Sequence, residues 1–142
     1  MKIAWISFIL LALSLMSCDK EKVISTAQLP SEVKNFVSLH FPQNPIIHSV
    51  EAKEGFNKSY DLILEGNFNL EFNRKYQIEE IKGITALPNS VIPEKIRIYV
   101  QNNYPTMAIT DWELEKKNQK IELDNQLTLE FTMQGDYLRI DN

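Results

Sequence analysis

Few residues in this chain could do chemistry, and their spacing keeps them apart. The 142 residues hold two histidines, His40 and His48, and one cysteine, Cys18. His40 falls at the end of a helical pattern that Pro42 stops, where a surface cation suits the helix dipole; His48 falls early in a strand, so the two are not expected to form a metal pair. Glu79-Glu80 would suggest acid/base work, but adjacent residues of a strand point to opposite faces and cannot share a substrate. Asp124-Asn125, Asp136 and Asp141 carry oxygen donors of the kind calcium takes, yet no twelve-residue loop matches an EF-hand. There is no Gly-x-Ser-x-Gly elbow, His-Glu-x-x-His, glycine-rich phosphate loop or Cys-x-x-Cys, and only 4 glycines in all. The expectation is therefore no catalytic residue, no metal site and no cofactor, hence not an enzyme, with calcium or another small ligand standing only as the alternative.

The elements that would position a site come from a repeat. Pro30, Val33, Phe36, Val37, Phe41 and Pro42 recur 63 positions later as Pro93, Ile96, Tyr99, Val100, Tyr104 and Pro105. Leu64, Phe68, Leu70, Glu71, Phe72 and Ile81 recur at a spacing of 59 as Leu123, Leu127, Leu129, Glu130, Phe131 and Ile140. Repetition of this kind fixes architecture before anything else. Each copy opens with a helix, Pro30 to His40 or Pro93 to Asn103, whose apolar residues fall at i, i+3 and i+4. Four strands follow in each: Ile46 to Lys53, Ser59 to Glu65, Phe68 to Phe72 and Gln77 to Lys82, then Met107 to Glu115, Gln119 to Asp124, Leu127 to Thr132 and Asp136 to Asp141. Phe68, Leu70 and Phe72 alternate with polar residues, as do Leu127, Leu129 and Phe131. Glu65-Gly66-Asn67 and Asp124-Asn125-Gln126 supply tight turns. The expected fold is α+β, a tandem repeat of helix plus four-stranded antiparallel meander, with the helices packed on one face of the sheet in a two-layer sandwich. Repeat one covers 29–83 and repeat two 87–142, with no Gly/Ser-rich spacer between them.

The first seventeen residues read as a signal peptide, with Lys2 before an apolar stretch from Ile3 to Met16. Leu15-Met16-Ser17-Cys18 resembles the lipobox of bacterial lipoproteins. That resemblance implies cleavage before Cys18, lipidation of its thiol, and acyl chains enough for stable anchoring. Residues 18–28 would then be a lipidated tether, and the folded domain would span 29–142. The chain carries a formal net charge of −4 with no long basic run, so nucleic acid is not an expected partner.

Proline-led helices ending in Phe/Tyr-Pro, followed by hairpins of the form Leu-x-x-x-Phe/Leu-x-Leu-Glu-Phe, resemble the PepSY-like, beta-lactamase-inhibitor-like family of envelope proteins. Asn102-Asn103-Tyr104-Pro105 and Ser90-Val91-Ile92-Pro93-Glu94-Lys95-Ile96 carry the likeness most specifically, and it covers Leu29 to Asp141. It implies an α+β envelope protein, secreted or lipid-anchored, without an established enzymatic activity.

Two features remain outside the expected core. Phe56 sits in Lys53-Glu54-Gly55-Phe56-Asn57-Lys58, a hairpin segment three residues longer than Lys116-Lys117-Asn118, and is either tucked onto the sheet edge or offered to a partner. Asp61, Asn69, Glu71, Asn73, Glu122, Thr128, Glu130 and Thr132 should align across the strands as a polar, mildly acidic face. The expected function is a lipid-anchored, non-enzymatic module that binds or restrains another envelope protein, held at the outer membrane. Fractionation tests the anchor: Cys18→Ser should abolish membrane association while leaving the fold intact, and retention after a high-salt wash would contradict it.

Overall fold

The computed structural model describes residues 20–141, so the leader and Cys18 lie outside the described residues. Helix α1 spans Ser31–His40 and α2 spans Glu94–Asn103. Each follows a proline, carries an acid in its first turn, and closes with a backbone N–H bond, Phe41 to Val37 at 2.8 Å and Tyr104 to Val100 at 2.7 Å. Short 3₁₀ turns at Thr26–Gln28 and Asn89–Val91 precede them.

Among the described residues nine strands form one antiparallel sheet in chain order. They are β1 Lys20–Val23, β2 Ile46–Glu54, β3 Asn57–Leu64, β4 Phe68–Phe72, β5 Ile78–Lys82, β6 Ile109–Leu114, β7 Asn118–Leu123, β8 Thr128–Thr132 and β9 Tyr137–Asp141. Eight of these match the expected strands to within about two residues. The ninth, β1, lies within residues 18–28, the segment expected as a tether, and was not expected as a strand. Its side chains are all exposed, and what orders it is backbone pairing with β2 from Lys20↔Lys53 to Val23↔Val50. Buried Ile24 then locks the end, exchanging bonds with Ser49 through Ile24 N to Ser49 O at 3.0 Å and Ser49 Oγ to Ile24 O at 2.7 Å.

Alternation decides what is buried. One row, Leu62, Leu70, Ile81, Trp112, Ile121 and Leu129, runs directly across β3 to β8 and is almost wholly removed from water. Val33 and Val37 of α1 and Ile96 and Val100 of α2 join the same core. Phe36 packs edge-on against Phe72 with centroids 5.3 Å apart, and Tyr99 packs edge-on against Phe131 at 5.4 Å. β5 pairs with β6 through Ile81↔Trp112, so the sheet continues without a break between the first and second halves of the chain.

Bulges recur at matching places. Register shifts lie between Ile46 and His48, and between Ile109 and Asp111; two others fall beside Glu71/Phe72 and Glu130/Phe131. In the last two the extra residues are Glu79 and Leu138 on the partner strands, and each keeps the core phase of the strand after its turn. Gly66 and Asn67 adopt positive φ in the β3–β4 turn, as does Gln126 in the β7–β8 turn. Phe72 and Phe131 are 1% and 0% exposed. Truncating either to alanine should cost about 3–5 kcal/mol in urea titration, against roughly 0.5 kcal/mol or less for Lys116→Ala at the surface.

Candidate functional site

The register that builds the core row also builds a polar row one residue away. Cross-strand partners run Asp61, Glu71, Glu80, Glu113, Lys120, Glu130, Arg139 from β3 to β9. A second row on the same face runs Ile63, Asn69, Lys82, Asp111, Glu122, Thr128, Asp141. Four carboxylates therefore stand directly opposite one another on β3 to β6. Like charges in that arrangement repel and destabilise a sheet. The nearest counter-charge is Lys82, whose Nζ lies 2.5 Å from Glu80 Oε1.

Electrostatics follow from that crowding. Loss of water, then a proton shared with Glu80 and the charges of Glu80 and Asp61, push the Glu71 carboxyl up to about 7 against an opposing pull from Lys82. Asp61 is raised by desolvation first, then by Glu21 and Glu80. Desolvation also raises Asp111, although the Gly83 N–H and Lys82 pull the other way. Hydrogen bonding to Glu80 is the main cause holding Lys82 above its ordinary value.

Farther along, the row is neutralised. Glu130 is only 2% exposed: Asn118 Nδ2 donates to Oε1, and the Arg139 guanidinium lies 2.6 Å from Oε2 as an ion pair. Burial under these two neighbours removes Glu130 from the exposed face expected of it. Asn73 and Thr132 likewise serve turns. Asn73 Oδ1 accepts from Lys75 N at 2.8 Å and Gln77 N at 3.1 Å, and Thr132 Oγ1 accepts from Asp136 N at 3.0 Å. Asp61, Glu71, Asn69, Glu122 and Thr128 do line up in the two rows. Glu80, Glu113 and Asp111 join them unforeseen. Each flanks an inward residue, Ile81 or Trp112, so its place in the rows follows from the core phase.

Phe56 is fully exposed at 109%, so the tucked alternative does not occur. It occupies the two-residue turn after Gly55, which takes φ +60°, and the extra length of this hairpin goes into the added pairs Lys53↔Lys58 and Glu54↔Asn57. His40 Nδ1 lies 2.9 Å from Ser90 Oγ, and His48 stands on the strand face at the far end of the sheet. Among the described residues no group of three His, Cys, Asp or Glu side chains is placed to hold a metal ion, and no helix is long and apolar enough to cross a membrane.

A raised acid gives a pH signature. Its folded form keeps the proton to about 7 while the unfolded form releases it near 4.5, so the stabilisation is complete below about 4.5 and is lost as pH rises through about 7. Melting temperature should therefore fall over that interval, and Glu71→Gln should flatten the fall; an equal slope in both proteins would contradict the assignment.

The family described as "Putative beta-lactamase-inhibitor-like, PepSY-like" matches residues 15–79 and 58–139. A solved structure from Bacteroides vulgatus, described as a "putative periplasmic protein from DUF2874 family", is 33% identical with a TM-score of 0.80, covering 88% of this chain and 99% of its own. A "putative calcium-regulated periplasmic protein" from Bacteroides thetaiotaomicron is 29% identical, TM-score 0.80, covering 86% and 97%. A second Bacteroides vulgatus structure, a "putative periplasmic protein of unknown function", is 27% identical, TM-score 0.80, covering 87% and 100%. No curated protein matches the chain significantly. These descriptions name no catalytic activity, and they point to the cell envelope as the location.

Proposed function

The chain belongs to the PepSY-like, beta-lactamase-inhibitor-like family, and from that premise we propose a lipid-anchored, non-enzymatic interaction module that binds or restrains a basic envelope protein at the outer membrane. The carrying observation is the line of Asp61, Glu71, Glu80 and Glu113, four opposed acids that one lysine partly offsets. A cationic partner surface laid across them would relieve the repulsion, so binding energy is available there without an apolar hot spot. Cys18 supplies the anchor in this reading. The two halves are taken as copies of one unit with both helices on the same face, which leaves the acid rows uncovered; the recurring bulges, the paired Phe36–Phe72 and Tyr99–Phe131 contacts and the two overlapping family matches support that view.

Calcium regulation is named for one relative. Here no three carboxylates converge among the described residues, so they do not fit a calcium site. The test is capture from native envelope extract with the mature protein as bait. A basic partner should be retained, and Glu71→Lys with Glu113→Lys should reduce capture about tenfold or more while the melting temperature is kept. Capture that is undiminished by the double reversal would overturn the assignment of the acid rows.

A further inference from the structure

The β2–β3 hairpin tip carries an unexplained pair of features. Phe56 projects fully into solvent. Beside it, Lys20, Lys53 and Lys58 stand directly opposite one another on β1, β2 and β3. Glu51 offsets part of this charge, at 3.7 Å from Lys53 and 3.1 Å from Lys58. Among the described residues Lys20 has no ion-pair partner. Arg74 and Lys75 bring two more cations to a groove of about 620 Å³ that these lysines line, so five cations face three acids there, Glu21, Glu54 and Glu79. Three opposed cations and an exposed aromatic each cost a free monomer something, by repulsion and by wetted apolar surface.

Strand direction brings this tip to the anchor. β1 runs antiparallel to β2, and its first residue pairs with Lys53, two positions before Gly55-Phe56. Cys18 precedes Lys20 by two residues, a reach of about 7 Å at most. Whatever holds Cys18 therefore holds the hairpin tip close by. We propose that this tip is a membrane contact: Phe56 inserts at the headgroup boundary while Lys20, Lys53 and Lys58 meet anionic headgroups, which fixes how the domain stands on the bilayer. The occupant is the lipid surface itself, chosen because it alone is delivered by the anchor and complements both the charge and the apolar side chain. The inference rests on lipidation of Cys18, and it goes beyond partner binding by orienting the acid rows, which start at Asp61, three residues along β3 from Lys58, and run away from the tip to β6.

The test uses the full lipidated protein carrying Phe56→Trp, in vesicles of phosphatidylethanolamine and phosphatidylglycerol brominated along the acyl chains. The mature chain's own Trp112 is buried and gives the baseline. Bromine should quench position 56 roughly twofold or more beyond that baseline, as an aromatic lying about 5–10 Å into the boundary requires. Lys53→Gln with Lys58→Gln should lessen the quenching in these vesicles and leave it unchanged in vesicles of phosphatidylcholine. Flotation of the unsubstituted protein reads the anchor separately: no flotation removes the anchor and the contact with it. Flotation with position 56 quenched no more than the baseline overturns the contact alone, and loss of protein capture by Phe56→Ala in detergent would then assign the tip to a protein partner.

Discussion

Everything in this fold depends on one cross-strand contact row, Leu62, Leu70, Ile81, Trp112, Ile121 and Leu129, packed in register through six consecutive strands. Side chains alternate with a period of two, so a slip of one residue in any strand would expose that strand's share of the core and bury its polar neighbours. The polar neighbours therefore have no freedom of their own. Asp61 precedes Leu62, Glu71 follows Leu70, Glu80 precedes Ile81 and Glu113 follows Trp112. Holding the apolar row together forces the carboxylates into line, and hydrophobic burial offsets the repulsion that results.

Charge is balanced at one end of that line and unbalanced in the middle. On β7 to β9 the row alternates Lys120, Glu130 and Arg139, and Lys120 also reaches Glu115 at 2.7 Å and Asp141 at 2.9 Å. On β3 to β6 it is acid after acid. The same scaffold thus carries a self-neutralised stretch and a stretch in which Lys82 only partly offsets four acids. On β3 the acid row begins at Asp61, three residues from Lys58 on the side away from the hairpin turn, while at the tip itself Glu51 pairs with Lys53 and Lys58.

Strong alternation made much of this legible from residues alone. Phe68-Asn69-Leu70-Glu71-Phe72 can only be a strand with one wet face, and Pro30 and Pro93 mark helix starts because proline costs nothing where an N–H has no partner. What escaped has physical reasons. β1 is a run of charged residues ordered by main-chain bonds to β2, and side-chain patterning carries no trace of backbone pairing. Glu79 is a bulge residue, so Ile78 and Ile81 pair with the core residues Phe72 and Leu70 at a spacing of three, which simple alternation does not allow. Glu130 looks like Glu71 in sequence, and its burial depends on Arg139 and Asn118 arriving from adjacent strands. Asn73 and Thr132 sit in polar phase yet spend their side chains on turn N–H groups, a local use that periodicity does not distinguish from exposure.

Core register holds Glu71, an exposed residue of β4, directly opposite Asp61 and Glu80. Carbon-detected NMR titration of side-chain carboxyls measures the consequence directly. Glu71 should titrate with a midpoint at about 7, far from its ordinary 4.5, and Glu80→Gln should lower the midpoint by removing the neighbouring charge. A Glu71 midpoint near 4.5, unmoved by that substitution, would contradict this.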